Sequence, residues 1–189
     1  MSTIVLNKVF DKEILAGELL SGVEYEECSF NNCDFHSTDF KGSVFLNCVF
    51  VDCNLSNIKV RGVGMKSVQF TNCKLLGVAF HECTDFLFEV SFHNSVLDYS
   101  SFSNKKMQGT TFDDCSLRDV NFTGTDLSRS IFSGANLEQA QFNDTILREA
   151  NFVGAINYKI DPEENVLRKA RFSLSEVTGL LDKYDIKIE

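Results

Sequence analysis

The side chains in this sequence best suited to metal binding or redox chemistry are seven cysteines and three histidines. They are Cys28, Cys33, Cys48, Cys53, Cys73, Cys83 and Cys115, with His36, His81 and His93. No two cysteines have the CxxC spacing that zinc and redox sites commonly use. Six of the cysteines instead differ by multiples of five residues. This spacing predicts small, buried, free thiols in a repeating structure, with no metal and no cofactor.

The sequence contains none of the short motifs that usually carry catalysis. It lacks a glycine-rich phosphate loop, an HExxH helix and a GxSxG turn. Aspartate and glutamate are plentiful, but on a repeat rod they would lie on the solvated outside, where paired carboxylates seldom act as acid and base. We therefore predict that the protein is not an enzyme.

A five-residue period organises the elements that must position these side chains. Large apolar residues occupy every fifth position from Phe122 to Phe152, and the frame continues back to Phe10 with one two-residue insertion around Thr84 to Glu89. A period of 3.6 would indicate a helix and a period of two a strand. A sustained period of five indicates a repeat architecture in which each unit stacks on its neighbours.

Residue type also repeats every twenty residues, which groups the five-residue units in fours. We predict an all-β solenoid, a right-handed quadrilateral parallel β-helix of about seven and a half coils, with large central residues pointing inward. Slim residues two positions before each central residue also point inward, and nine of the eleven glycines lie two positions after one, where the chain must turn. One column of central residues is all phenylalanine: Phe10, Phe30, Phe50, Phe70, Phe92, Phe112, Phe132 and Phe152.

The frame fails at Asn157, so we expect a repeat domain over residues 1–158 and a C-terminal helical cap over residues 159–189. Asp161, followed by proline and two acids, is typical of a helix start, and a capping box at Ser173 begins a second helix. The apolar residues of this tail either cover the open core or pair with a second copy of the chain. These dimerisation candidates are Leu174, Val177, Leu180, Leu181, Ile186 and Ile188, the last two in a short terminal strand.

The two-residue insertion provides a candidate contact with a partner protein. Phe86 and Phe88 flank Leu87, so if Leu87 points inward, strand-like alternation sends both phenylalanines outward. They then either fold back over the edge of the coil or form a partner-binding patch. A local acidic cluster is a second candidate, although no side of the rod is strongly acidic; its residues are Asp113, Asp114 and Asp119.

Composition narrows the location and the partners. The sequence shows no signal segment and no apolar run long enough to span a membrane, so free cysteines favour a reducing cytoplasm. The net charge of −9 disfavours direct binding to DNA, RNA or an anionic membrane. It permits a basic protein partner.

Units such as "ANFVG", "TDLSR" and "ANLEQ" resemble those of the pentapeptide repeat proteins, over roughly residues 8–157. Both ends of the chain look like those of the quinolone-resistance (Qnr-type) and microcin-immunity subgroup. The resemblance implies a homodimer joined at its C-terminal ends, an acidic DNA mimic that binds DNA gyrase or topoisomerase IV and protects it from poisons. The chain departs from members with long projecting loops, because its one interruption adds two residues. The alternative is a scaffold solenoid that binds other proteins.

Overall fold

The computed structural model describes residues 3–86 and 88–187, in which it places twelve short strands and three 3₁₀ helices. The 3₁₀ helices span Phe80–Glu82, Leu174–Leu180 and Asp182–Tyr184. The strands are β1 (Thr3–Leu6), β2 (Val9–Asp11), β3 (Val23–Glu26), β4 (Ser29–Asn31), β5 (Val44–Leu46), β6 (Val49–Val51), β7 (Gly64–Lys66), β8 (Val68–Thr71), β9 (Val90–His93), β10 (Phe112–Asp113), β11 (Asn151–Phe152) and β12 (Arg171–Phe172).

Parallel pairing stacks these strands into four-sided coils. The first sheet has the order β1-β3-β5-β7, and the second sheet has the order β2-β4-β6-β8-β9-β10. Single parallel bridges such as Ile14↔Asp34 and Leu19↔Asp39 join the other two sides. The protein is therefore a parallel β-solenoid of about eight turns, which confirms the fold that the five-residue period predicts.

The column of phenylalanines forms a continuous stack through the core. Consecutive rings from Phe10 to Phe172 are nearly parallel, with centroids 4.5 to 5.3 Å apart. Neighbouring strands are about 4.8 Å apart, so one ring per coil matches the spacing that aromatic rings prefer when stacked. The sorting of residue types into columns follows from this match.

Small polar side chains in the slim inward position bind the backbone of the preceding coil. The Thr38 hydroxyl donates to the carbonyl oxygen of Leu15 at 2.6 Å, and the Cys53 thiol donates to that of Phe30 at 3.3 Å. All seven cysteines are buried and free, which confirms their predicted place in the core. Serine, threonine and cysteine suit this position because a short donor reaches a carbonyl oxygen that faces the interior.

The residue two positions after a central residue turns the chain with a positive φ. The nine glycines at this position all adopt it, and so do many asparagines and aspartates, such as Asn72 with a φ of 55°. Asparagine and aspartate tolerate this left-handed conformation better than other residues with a Cβ, because their short side chains form local hydrogen bonds. The turns therefore account for much of the Gly, Asn and Asp content.

The coils continue past residue 158, where the sequence predicts the cap to begin. Val166 forms a parallel bridge with Ile146, and β12 pairs with β11. Leu167 and Phe172 resume the five-residue frame and pack against the core. The polar residue at Asn157 therefore interrupts the frame without ending the solenoid. Whether residues 159–189 form a separate unit stays a prediction.

The helix predicted to start at Asp161 does not form, because residues 162–164 make a turn that leads into the next coil. The Asp161 carboxylate accepts a hydrogen bond from the N–H of Glu163 at 2.8 Å, so its capping ability closes this turn. The Asn165 side chain then donates to the carbonyl oxygen of Phe142 at 2.7 Å, as the short donors of earlier coils do. Long-range coil formation outweighs the local helix signal here.

The second helix begins at Leu174, as predicted, but it is a 3₁₀ helix that ends at Leu180. No capping box forms, because the Ser173 hydroxyl accepts the N–H of Gly154 at 2.9 Å and the helix has no side-chain cap. Ile186 is not in a strand, and Ile188 lies outside the described residues. The tail is therefore a less regular cap than the sequence predicts.

We expect Phe92→Ala to lower the free energy of unfolding by about 3–5 kcal/mol, because it leaves a cavity between two stacked rings. Phe10→Ala is the matched control: Phe10 stacks on one ring in this column and is half-buried, so its loss should cost much less. Urea unfolding followed by circular dichroism measures both. Equal losses would show that stacking on both sides adds nothing.

Stability should fall at alkaline pH because of the buried thiols. Burial raises the pKa of Cys48 from 9.0 to about 11 and the pKa values of Cys83 and Cys115 to about 12. Each thiol therefore contributes stability that is complete below about pH 9 and is lost as the pH rises towards 11–12. Between pH 8 and 10.5, the free energy of unfolding of Cys115→Ala should fall by about 1–2 kcal/mol less than that of the unmodified protein. Parallel pH profiles would contradict this.

Candidate protein-binding surface

The insertion exposes one phenylalanine and buries the other. The Phe86 side chain is 81% exposed, whereas Phe88 is 8% exposed and packs edge-on against Phe80 with ring centroids 6.4 Å apart. Of the two alternatives, Phe88 follows the one in which the ring folds back and is covered, whereas Phe86 points outward. Leu87, the expected inward residue, lies outside the described residues. Phe86 remains the aromatic candidate for partner contact.

Lys105 fixes the inserted segment from inside the coil. It occupies a slim inward position, where it is 2% exposed, and its Nζ donates to the carbonyl oxygen of Cys83. The same Nζ lies 2.7 Å from an Asp85 carboxylate oxygen and 5.0 Å from the ring centroid of Phe88. Sequence reasoning missed this residue. The available signal was a lysine in a position that elsewhere in the core holds mostly small residues, one coil after the insertion.

A shallow apolar groove lies beside Phe86 on the first sheet. We name it the Phe86 groove; it has a volume of about 300 Å³. A Cβ added at Gly64 would lie 3.5 Å from a Val44 methyl group, which is an ordinary van der Waals contact. Gly64 therefore leaves the floor of the groove open, and a larger side chain at this position would fill it. The groove is lined by Val44, Leu46, Gly62, Gly64, Met65, Lys66, Thr84 and Phe86.

The predicted acidic cluster does not join this groove. Asp113 is half-buried in β10 of the second sheet, whereas Asp114 and Asp119 are exposed at turns with positive φ. The Phe86 groove lies on the first sheet. The structure therefore offers two separate candidate surfaces.

Asp98 and Arg118 form an ion pair that the sequence did not single out. One oxygen of the buried Asp98 carboxylate accepts from Arg118 Nε at 2.8 Å and Nη2 at 2.6 Å, and the other accepts the Ser116 hydroxyl at 2.6 Å. These bonds raise the pKa of Arg118. Because all the carboxylate's bonds are internal, the pair clamps neighbouring coils together.

The tail leaves few of the predicted dimerisation residues free. Leu174 is 89% exposed and Ile186 is also exposed, whereas Val177, Leu180 and Leu181 are half-buried. Leu180 packs against the core, which explains its burial.

A cavity of about 570 Å³ lies where the tail meets the last coils. Its lining includes four carboxylates, those of Glu138, Glu176, Asp182 and Asp185. Burial raises the pKa of the lining residue Tyr158 to about 12, and its hydroxyl has no hydrogen-bond partner in the described structure. Within residues 3–86 and 88–187, no group of three or more His, Cys, Asp or Glu side chains could hold a metal ion.

None of the helices in the described parts of the chain has the length and apolar character needed to cross a membrane.

Solved structures share this architecture. Two trypsin-treated variants of QnrB1, a plasmid-mediated fluoroquinolone resistance protein, are 18% and 19% identical, with TM-scores of 0.59 and 0.51; each match covers 100% of this chain and 99% of the other. HetL, a pentapeptide repeat protein involved in heterocyst differentiation regulation in the cyanobacterium Nostoc sp., is 16% identical, with a TM-score of 0.47 and coverage of 90% and 87%. At these identities the likeness is one of fold alone.

A search of curated proteins found no match. A family model described as a pentapeptide repeat region matches residues 23–102, 63–142 and 97–177. These matches extend over most of the chain and agree with the five-residue frame of the coils. This family model describes a repeat region rather than a catalytic domain. The chain therefore belongs to the pentapeptide repeat family.

Proposed function

We propose that this chain is a non-enzymatic cytoplasmic protein that binds DNA gyrase or topoisomerase IV as a DNA mimic and protects it from quinolone-type inhibitors or toxins. The observation that carries this proposal is the likeness, over the full length of both chains, to a fluoroquinolone resistance protein. A net charge of −9 supports it, because an acidic rod favours the basic surfaces that bind DNA.

The density of charge limits how far mimicry alone can explain binding. Eight turns at about 4.8 Å give a rod of about 38 Å, so a net charge of −9 is one negative charge per about 4 Å. Double-stranded DNA carries one per about 1.7 Å. The electrostatic attraction is therefore weaker than that of DNA, and specific contacts must supply part of the affinity.

The second candidate function is a scaffold solenoid whose sides bind a protein other than a topoisomerase. The Phe86 groove favours it, because an apolar surface does not resemble a DNA backbone. Pull-down experiments that recover specific partners but no topoisomerase subunits would support this candidate over the first.

A supercoiling assay with purified gyrase, with and without a quinolone, tests the first proposal. Across a titration of the protein, we expect supercoiling activity to return in the presence of the drug. Protection should weaken as the salt concentration rises, because the steering charges are exposed. If the protein neither protects nor inhibits gyrase at micromolar concentrations, the topoisomerase proposal is refuted.

We also propose that the protein is a homodimer joined through its C-terminal tail. The proposal rests on the exposed apolar side chains of Leu174 and Ile186, next to the end of the stacked core. A second copy placed on this surface would cover both side chains.

Leu174→Asp should convert the dimer into a monomer, because it places a charge in the proposed interface. Light scattering gives the mass over a range of concentrations. Tyr99→Asp is the matched control, since Tyr99 is an exposed apolar side chain far along the sequence from the tail. An unmodified protein that stays monomeric, or a Leu174→Asp variant that stays dimeric, would refute the proposal.

A further inference from the structure

We propose that the Phe86 groove binds one large apolar side chain of a protein partner, and that this side chain is flanked by a lysine or arginine in the partner. This inference adds a docking surface to the proposed function. It rests on the proposed function only where it identifies the partner as a topoisomerase.

The groove has the shape of a pocket for a single side chain. Gly64 provides its floor, and on the same face of the first sheet Val44 is its register partner in β5. Phe86 forms the opposite wall. An apolar side chain placed between the two walls would be removed from water on several sides, which is the main source of binding energy at such a position.

Residues on both sides of Phe86 are anchored to the coil. On one side of it, Asp85 is tied to the buried Lys105, and on the other, Phe88 is packed into the core. These two contacts restrict the residues near Phe86, so covering its exposed ring should cost less conformational freedom, and the ring can serve as a binding hot spot. The insertion therefore presents one aromatic side chain at a defined place on an otherwise regular coil.

The charge beside the groove determines what must accompany the apolar side chain. Glu24 and Glu26 in β3 are in register with Val44 and Leu46, one strand further from Gly64. Across the described ranges, neither carboxylate forms a salt bridge. They lie two strand spacings, about 10 Å, from the floor of the groove, which a basic residue within about three positions of the apolar anchor can reach.

Lys66 gives the bound segment a direction. It lines the groove and is in register with Leu46, on the side away from Glu26. A basic group in the partner is therefore repelled at the Lys66 edge and attracted at the Glu24 and Glu26 edge. The partner's cation must point towards β3.

The area of the face argues against a second copy of this chain as the occupant. One side of the coil is about three residues wide and the groove region about five strands tall, which is roughly 10 Å by 25 Å. A stable dimer usually buries about 800 Å² on each partner. This face alone is too small for a stable dimer interface, but it can accept one anchor side chain from a segment of another protein.

Selection from phage-displayed random peptides, about twelve residues long, tests the surface without any assumed partner; display in several copies makes weak binding detectable. We expect the unmodified protein to enrich peptides with a large apolar residue and a nearby Lys or Arg. Gly64→Leu, which fills the groove, and Phe86→Ser should each reduce their binding at least tenfold, whereas Tyr99→Ser should not. Circular dichroism confirms that each variant is folded.

Reversing the acidic charges sharpens the test. Against the Glu24→Lys, Glu26→Lys double variant, the enriched peptides should keep the apolar anchor but carry acidic flanking residues. No enrichment on the unmodified protein, or peptides that bind Gly64→Leu equally well, overturns the inference. A dimer that dissociates in Gly64→Leu also overturns it, because the occupant is then a second copy.

The gyrase assay separates this inference from the proposed function. If the folded Gly64→Leu variant no longer protects gyrase, the proposed function and the groove inference both stand, and gyrase docks at the groove. If it protects fully although the selected peptides no longer bind it, the proposed function stands and the claim that the groove serves it is refuted. If the unmodified protein selects the expected peptides but never protects gyrase, the groove stands and the topoisomerase proposal fails.

Discussion

The structure depends on the agreement between two distances: the separation of hydrogen-bonded strands and the separation of stacked aromatic rings. Strands pair about 4.8 Å apart, and the rings of the phenylalanine column stack at 4.5 to 5.3 Å. A residue can therefore repeat once per coil in the same orientation without strain in the backbone. Any shift of register would place a ring against a slim residue, so the core itself enforces the twenty-residue repeat.

The same constraint explains how the chain accepts an insertion. Beyond the inserted residues, Phe92 pairs with Phe70 and the stack is restored, which shows that the extra length is absorbed locally. The excess backbone needs hydrogen-bond partners, and a buried lysine with three donors can supply them. Lys105 meets the Cys83 carbonyl group and the Asp85 carboxylate from one coil away. The insertion and the lysine thus form one structural unit.

Most of the fold could be predicted from the sequence because every five-residue unit shows the same pattern. Each unit therefore supports the assignment of the others. The columns, the turns and the buried free thiols all follow from the frame. It failed where one local signal competed with a long-range one. At Asp161 the helix-capping pattern was real, but burial of Leu167 and Phe172 against the preceding coil prevailed. At Phe88, strand alternation predicted an outward ring, but the irregular segment follows the other alternative, in which the ring is covered.

Function is harder to derive from this sequence because the repeat determines the inward and turn positions on geometric grounds. Only the outward positions on either side of each central residue are free to vary, and on most coils they are polar. Without long loops, recognition has to use flat faces, where adjacent rows differ only in charge and size. A glycine floor and one exposed aromatic ring break that regularity on the first sheet. Since an exposed aromatic ring is unfavourable in water, the Phe86 groove is an outward feature that stacking alone does not explain.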